Sequence, residues 1–505
     1  LTCAASAAAL TLVLAAEPAR AFCGFFVAGG DAKLINNASQ VVLMRKGNRT
    51  AMTMSNTYKG PPEDFAMVVP VPVVLQKEDV KTLPMDVFDR VDSLSAPRLV
   101  EYWEQDPCRE PEEVAVRLSG APMAAPARKK MDAESAADLG VTVEARFVTG
   151  EYEVVILSAR ESTGLETWLH QEKYKIPVGA AEALAPYVRD KSKFFVAKVD
   201  IKKVKRDAGG VVQLSPLRFA FDSTELRLPV RLGLLNAAGK QDLIVYVIHP
   251  TARFEVANYP NAFIPTNLEV ADKVRQSFPA FYAELFDATI ERMGKKAVVT
   301  EYSWQTTSCD PCPVPPLGPA ELVTLGLDVL DPAAAPPAPG PGSTPGSGAP
   351  LQPSPSVAPS PQPPRGRRQF FGGGASWVLT RLHTRYSKET LSEDLVFREA
   401  QPVLGGRANR GGQSADAGAQ VMPSGVNNFQ GRYIIRNYWT GPVACKNPVY
   451  ERWGGPPGRE LDRSGATAAK GLALAPRGQV VLRSSVRSPV PMLGIPGQPP
   501  PRRKK

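Results

Sequence analysis

Short apolar runs, most of them alternating with polar residues, recur along this chain, and few keep a helical period for long. Residues 40–45 and 49–54 flank Lys46-Gly47-Asn48, where glycine and asparagine can take the positive φ of a tight turn, so the pair predicts a hairpin. In the second run Met52 and Met54 face one way and Ala51 and Thr53 the other, the pattern of a half-buried strand with methionine as core filler. Further strands are predicted over 65–71, 141–148, 152–157, 194–201, 217–221, 225–230, 243–248 and 298–304, and ordered segments again over 377–386, 391–398 and 429–439. Helices are predicted over 84–91, over 164–173 and over 179–187. Another is expected to start at Ser95 as N-cap, with Pro97 in its first turn, and to stop before Pro107-Cys108. A longer one is expected over 270–293, kinked at Pro279. Strand-heavy alternation of this kind predicts an α+β fold, β-rich, with mostly antiparallel sheets and a few peripheral helices.

Composition divides the chain. Fifty prolines and 41 glycines gather in stretches that cannot pack. Residues 109–138 read as a mobile insertion, and 331–369 as a disordered proline-rich linker of polyproline character. The packed domain is expected over 22–330 and again over 370–453, with a disordered basic tail over 454–505. The net charge of +10 is concentrated in that tail, where ten basic residues face Glu460 and Asp462. Such a tail suits anionic envelope polymers or lipid headgroups better than nucleic acid; the plainer reading is a solvated segment with no specific partner.

The first residues point to a compartment. Residues 4–16 are apolar, and Ala19 and Ala21 supply the small-x-small pattern of a signal-peptidase site, so 1–21 is expected to be a signal peptide. The apolar run is too short for a permanent membrane span. No basic residue precedes it and the chain opens with Leu1, so a misassigned or truncated start is expected. Cys23 follows the bulky Phe22, which argues against a lipid-modified cysteine. The protein is therefore expected in the periplasm or at the cell surface, without a permanent transmembrane anchor. Past the cleavage site remain Cys23, Cys108, Cys309, Cys312 and Cys445, enough for two disulfides and one leftover thiol in an oxidising compartment.

Candidate chemistry is sparse. Cys309-Asp310-Pro311-Cys312 spaces two sulfurs as in a redox dithiol, but Pro313, Pro315 and Pro316 keep a helix from starting after it. Structural pairing is the leading reading, ahead of redox activity and metal binding. His170, His249 and His383 are isolated in sequence, so no metal site and no cofactor is expected. His249 reads as a capped loop residue, and His383, beside Arg381 and Arg385, as exposed on a polar strand face. Hydrolase and nucleotide-binding motifs are absent, and Gly372-Gly373-Gly374 reads as flexibility. The run from Arg432 to Trp439 offers either a polymer-binding face or a strand with one packed side. No catalytic residues are assigned. The leading expectation is a non-enzymatic structural or binding module; the alternatives are a thiol-active oxidoreductase using Cys309 and Cys312, or a hydrolase with an unrecognised site.

Several segments together resemble the bacterial domain-of-unknown-function family 2330. They are Phe22-Cys23-Gly24-Phe25-Phe26-Val27, the run from Phe65 to Pro72, the run from Gly150 to Ala159, Trp168-Leu169, Pro216-Leu217-Arg218-Phe219, Leu228-Pro229-Val230-Arg231, the two cysteines 309 and 312, and the run from Leu379 to Tyr386 with Glu393-Asp394-Leu395. The resemblance implies an exported protein without an assigned reaction, in which the proline-rich linker interrupts one domain. The basic tail departs from relatives anchored by a C-terminal transmembrane helix.

Overall fold

The computed structural model describes residues 25–28, 38–55, 57–58, 65–108, 141–174, 176–200, 202–206, 212–235, 239–333, 376–406, 421–458, 466–469 and 475–498. Its frame consists of β1 (Ala38–Lys46), β2 (Arg49–Met54), β3 (Phe65–Val71), α1 (Asp86–Ser95), β4 (Arg98–Glu104), β5 (Val141–Thr149), β6 (Tyr152–Ala159), α2 (Ser162–Gln171), α3 (Ala180–Arg189) and β7 (Lys193–Val199). It continues with β8 (Leu217–Asp222), β9 (Gln241–His249), α4 (Phe278–Arg292), β10 (Val298–Gln305), β11 (Val378–Tyr386), β12 (Asn428–Gln430) and β13 (Arg432–Asn437).

Two sheets dominate. The larger runs β12-β10-β11-β9-β1-β2-β8 through its middle, within an 11-stranded sheet. β9 and β1 pair in parallel, while β10/β11, β11/β9, β1/β2 and β2/β8 are antiparallel. The smaller is antiparallel and orders Phe25–Ala28, β3, β7, β6, β5. Val41, Leu43, Met52 and Met54 from the larger sheet meet Phe65, Met67, Tyr152, Ile156 and Phe195 from the smaller in one buried cluster. α2 and α3 cover the outer face of the smaller sheet through Leu165, Leu169, Leu184 and Tyr187. α1 and the helical turns over 319–330 cover the larger sheet with Phe88, Val91, Leu322 and Leu325. The packing is thus helices, sheet, sheet, helices, and a sheet covered on both faces needs near-continuous apolar strands.

That covering explains the first difference from the sequence reading. β2 is buried on both faces, because Ala51 packs under the helical turn at Gly326 while Met52 and Met54 face the other sheet. The helix expected from Ser95 is absent. α1 ends at Ser95, whose hydroxyl donates to the Val91 carbonyl, and the Leu-Val-Glu-Tyr-Trp run forms β4. β4 pairs in parallel with β13, more than 300 residues later, and such a non-local pairing overrides local helix signals. The helix expected over 270–293 starts later: a short 3-10 turn spans Asp272–Gln276, and Pro279 lies in the first turn of α4, where a missing N–H costs nothing.

Part of the region expected as a disordered tail is packed. Within 475–498, Val486, Val490 and Ile495 are buried against α4 and β13 residues such as Phe281, Leu285 and Ile435. Arg477 pairs with Asp287 and Asp242, and Arg487 with Glu269 and Asp272. Three apolar side chains and the ion pairs of two arginines hold this segment as a strap, at about 1.5–3 kcal/mol per buried aliphatic side chain. The expected signal peptide and cleavage residues Ala19 and Ala21, Cys23, the insertion 109–138 and most of the linker lie outside the described residues. β11 lies beyond that linker in sequence and is hydrogen-bonded between β9 and β10. Among the described residues no helix is long and apolar enough to cross a membrane.

Candidate functional site

The densest chemistry lies inside the larger sheet. On β11 the side chains of Arg381, His383 and Arg385 share a face, as alternate residues of a strand must. β9 places Tyr246 opposite Arg381 and Asp242 opposite Arg385. β10 contributes Glu301 through a β-bulge: Thr300 pairs with Leu382 and Tyr302 with Arg381, and the residue between them has no partner. The extra residue puts the carboxylate in the row of β11 cations. His383 Nδ1 donates to Glu301 at 2.7 Å and Nε2 to Asp242 at 3.1 Å. Arg381 Nε donates to Glu301 at 2.5 Å and Nη1 to Asp92 of α1 at 2.6 Å. The hydroxyls of Tyr282 and Tyr246 donate to Glu301 and Asp92. At the outer end Arg385 and Arg477 both reach Asp287 and Asp242.

His383 is therefore not the exposed residue that strand alternation suggests. It is 1% exposed and lies flat on Phe286, ring centroids 3.8 Å apart. Burial alone would pull its pKa down; Glu301 and Asp242 outweigh that and hold it up at about 9, so the imidazole is a cation at neutral pH. For Glu301, burial pushes up, and His383 and Arg381 outweigh it, leaving the carboxyl at about 2. Both ring nitrogens of His383 are occupied by carboxylates, and neither is open to a substrate. The arrangement is a sealed lock of paired charges joining β9, β10, β11, α1, α4 and the strap. One signal in the sequence could have shown it, an acidic residue amid the apolar β10 run facing cations two apart on another strand.

The second place is open. A cleft of about 330 Å³ is lined by Trp304, Gln305, Ser308, Cys309, Asp310, Val426, Asn427 and Asn428. Trp304 Nε1 donates to Ser308 Oγ at 3.2 Å, and Asn427 is fixed by accepting from Ser303 Oγ. Amides, a hydroxyl and one carboxyl stand beside the apolar Trp304 and Val426, and among the described residues the lining holds neither histidine nor a basic side chain. Cys309 and Cys312 are disulfide-bonded to each other and both half-buried, Cys309 lining the cleft. The chain from 313 to 318 is a loop and the next helix starts at Pro319, so no helix N-terminus lies behind Cys309 to lower a thiol pKa. Cys108 and Cys445 form the other disulfide, tying the end of β4 to the loop after β13.

The remaining candidates are structural. His249 Nδ1 accepts from the backbone N–H of Thr251 and Ala252, a capped loop residue as expected. His170 is exposed on α2. Arg432, Tyr433, Ile434 and Ile435 are buried on both sides of β13, which removes them from any polymer-binding face. Among the described residues no group of three His, Cys, Asp or Glu side chains is placed to hold a metal ion.

Comparison with known proteins gives one match. No curated protein and no solved structure matches the chain. The profile of a family described as uncharacterized proteins conserved in bacteria, DUF2330, matches residues 17–398, a span that includes β1 to β11 and the cleft's Cys309 and Asp310. The chain belongs to that family of uncharacterized bacterial proteins.

Proposed function

We propose that the protein is an exported, non-enzymatic binding module of the bacterial envelope, whose cleft beside Cys309 takes a neutral ligand rich in hydroxyl and amide groups, as envelope glycans are. The observation that carries this reading is the cleft lining: amide and hydroxyl groups beside Asp310 suit hydrogen bonding to sugar hydroxyls, while His383 is sealed away from it. Export is supported by the apolar run before Ala19 and Ala21 together with two disulfides. The terminal Arg502-Arg503-Lys504-Lys505 cluster extends the reading to anionic envelope polymers or lipid headgroups, since Arg477 and Arg487 are engaged within the fold. The loop behind Cys309 weighs against thiol catalysis, because nothing there would activate the sulfur.

Calorimetric titration with soluble fragments of the envelope glycan tests the proposal. Binding is expected, and Gln305→Ala or Asn428→Ala should weaken it about 3- to 10-fold, the value of one hydrogen bond. Turnover of an envelope ester, amide or glycoside that is lost on substituting a cleft residue would overturn it.

A further inference from the structure

The turn Cys309-Asp310-Pro311-Cys312 is tied down from inside the protein through its own carbonyls. Pro311 O accepts from Arg98 Nη1 at 2.7 Å, and Asp310 O accepts from Gln430 Nε2. Arg98 is fully buried; its other partners are the carbonyls of Leu94 and Ala96, with the Tyr302 ring 5.4 Å from its guanidinium carbon. No carboxylate is among its hydrogen-bond partners in the described residues. Arg98 Nε, Gln430 Oε1 and Tyr302 Oη are buried with no hydrogen-bond partner among the described residues. Buried polar groups this poorly satisfied are costly, and each carbonyl that remains to them matters correspondingly more. Two of those carbonyls belong to the residues enclosed by the Cys309–Cys312 disulfide. The same turn forms one wall of the Trp304 cleft.

We infer that the Cys309–Cys312 disulfide is a reducible clasp: a dithiol reductant opens it, the Asp310-Pro311 turn releases Arg98 and Gln430, and the cleft deepens toward these two donors. One thiolate of the reductant attacks one cysteine sulfur, the S–S bond breaks, and the other cysteine leaves as thiolate. The second thiol of the reductant then resolves the mixed disulfide. In total two electrons and two protons pass to Cys309 and Cys312, and the reductant leaves as its own disulfide. The thiol of Cys312 has an acceptor in place, since its sulfur lies 3.2 Å from the Cys309 carbonyl oxygen. Cys309 lines the cleft and both cysteines are half-buried, which leaves the reductant a path to them. The clasp sets the shape of the cleft whether or not the cleft binds a glycan, so its test needs no ligand.

The test uses the full chain. Free thiols are blocked with iodoacetamide, dithiothreitol is added without denaturant, and new thiols are tagged with an isotopically distinct label and mapped by peptide mass. Label is expected on Cys309 and Cys312 with the far-ultraviolet circular dichroism unchanged. Tryptophan emission should shift with the same time course, and Trp304→Phe should abolish the shift. A Cys309→Ser/Cys312→Ser chain should already show the shifted emission and no longer respond, while a Cys108→Ser/Cys445→Ser chain should respond as the parent does. If that second variant does not fold, the peptide map of the parent still separates the two disulfides. No label at 309 and 312 in the native protein would overturn the inference. So would labelling with unchanged emission, or an emission change that survives Trp304→Phe.

Discussion

At the residue scale the decisive group is His383, a histidine held as a cation by two carboxylates in a dry place. Its folded pKa of about 9 stands above the ordinary 6.5, so its contribution to stability is fully present below pH 6.5 and is lost as pH rises through about 9. Glu301, held at about 2 against an ordinary 4.5, contributes above pH 4.5 and loses that contribution as pH falls through about 2. Thermal unfolding followed against pH should therefore show a plateau between pH 4.5 and 6.5 with a falling limb on either side. His383→Gln should flatten the alkaline limb; an unchanged limb would remove the charge from His383. Glu301→Gln leaves His383 and Arg381 short of a shared counter-charge, and urea unfolding should show a loss of about 3–5 kcal/mol, the cost of breaking one side of a buried ion pair.

At the scale of elements three devices hold the sheet and its charges. The bulge in β10 turns Glu301 toward the β11 cations, and without the extra residue the carboxylate would face the opposite side. The helical turn over 323–327 lies so close on β2 that a Cβ at Gly326 would sit 2.4 Å from the Ala51 Cβ, at a φ of +140° that L side chains rarely adopt. Gly326→Ala should cost about 2 kcal/mol or more in urea unfolding, combining overpacking with backbone strain. The strap over α4 is a third device. A chain ended before Ala475 loses the burial of Val486, Val490 and Ile495 together with the Arg477 pairs. Its midpoint in urea should fall by the equivalent of at least about 4 kcal/mol; an unchanged midpoint would mean that the strap packs without contributing.

At the scale of the whole molecule, long-range closures hold the fold. The Cys108–Cys445 disulfide spans a sequence separation of 337, and the ends it joins belong to a sheet assembled from β4 and β13. Cys108→Ser with Cys445→Ser should cost about 2–5 kcal/mol, read from denaturant midpoints. Intact mass of the protein recovered from the envelope fraction, alkylated under denaturing conditions, addresses export at the same scale. A start at Phe22 with one alkylatable thiol is the expected result. A chain retaining residues 1–21, with five or more alkylatable thiols, would contradict export.

The amino-acid sequence by itself determined the strand-rich class, the hairpin at Gly47, the position of the longer strands from 141 to 304, and family membership, while the short strands at Arg253–Val256, Asn261–Phe263 and Leu268–Glu269 escaped it. What it determined depends on local turn chemistry and on runs of apolar residues, which a linear reading detects. Tertiary structure alone decided the rest. Whether residues 98–104 became strand or helix depended on a partner more than 300 residues away. The tail read as unstructured, because valines and isoleucine scattered among prolines carry no period, yet α4 offered them a face to cover. The polar face of β11 read as solvent-facing, because alternation cannot tell water from a set of opposite charges brought by α1, α4, β9 and β10. Cys309 and Cys312 were visible as a motif, but the buried arginine that their turn satisfies comes from β4 and is adjacent only after folding. Pairings between distant segments follow from which surfaces are left to be covered, and that is a property of the assembled chain.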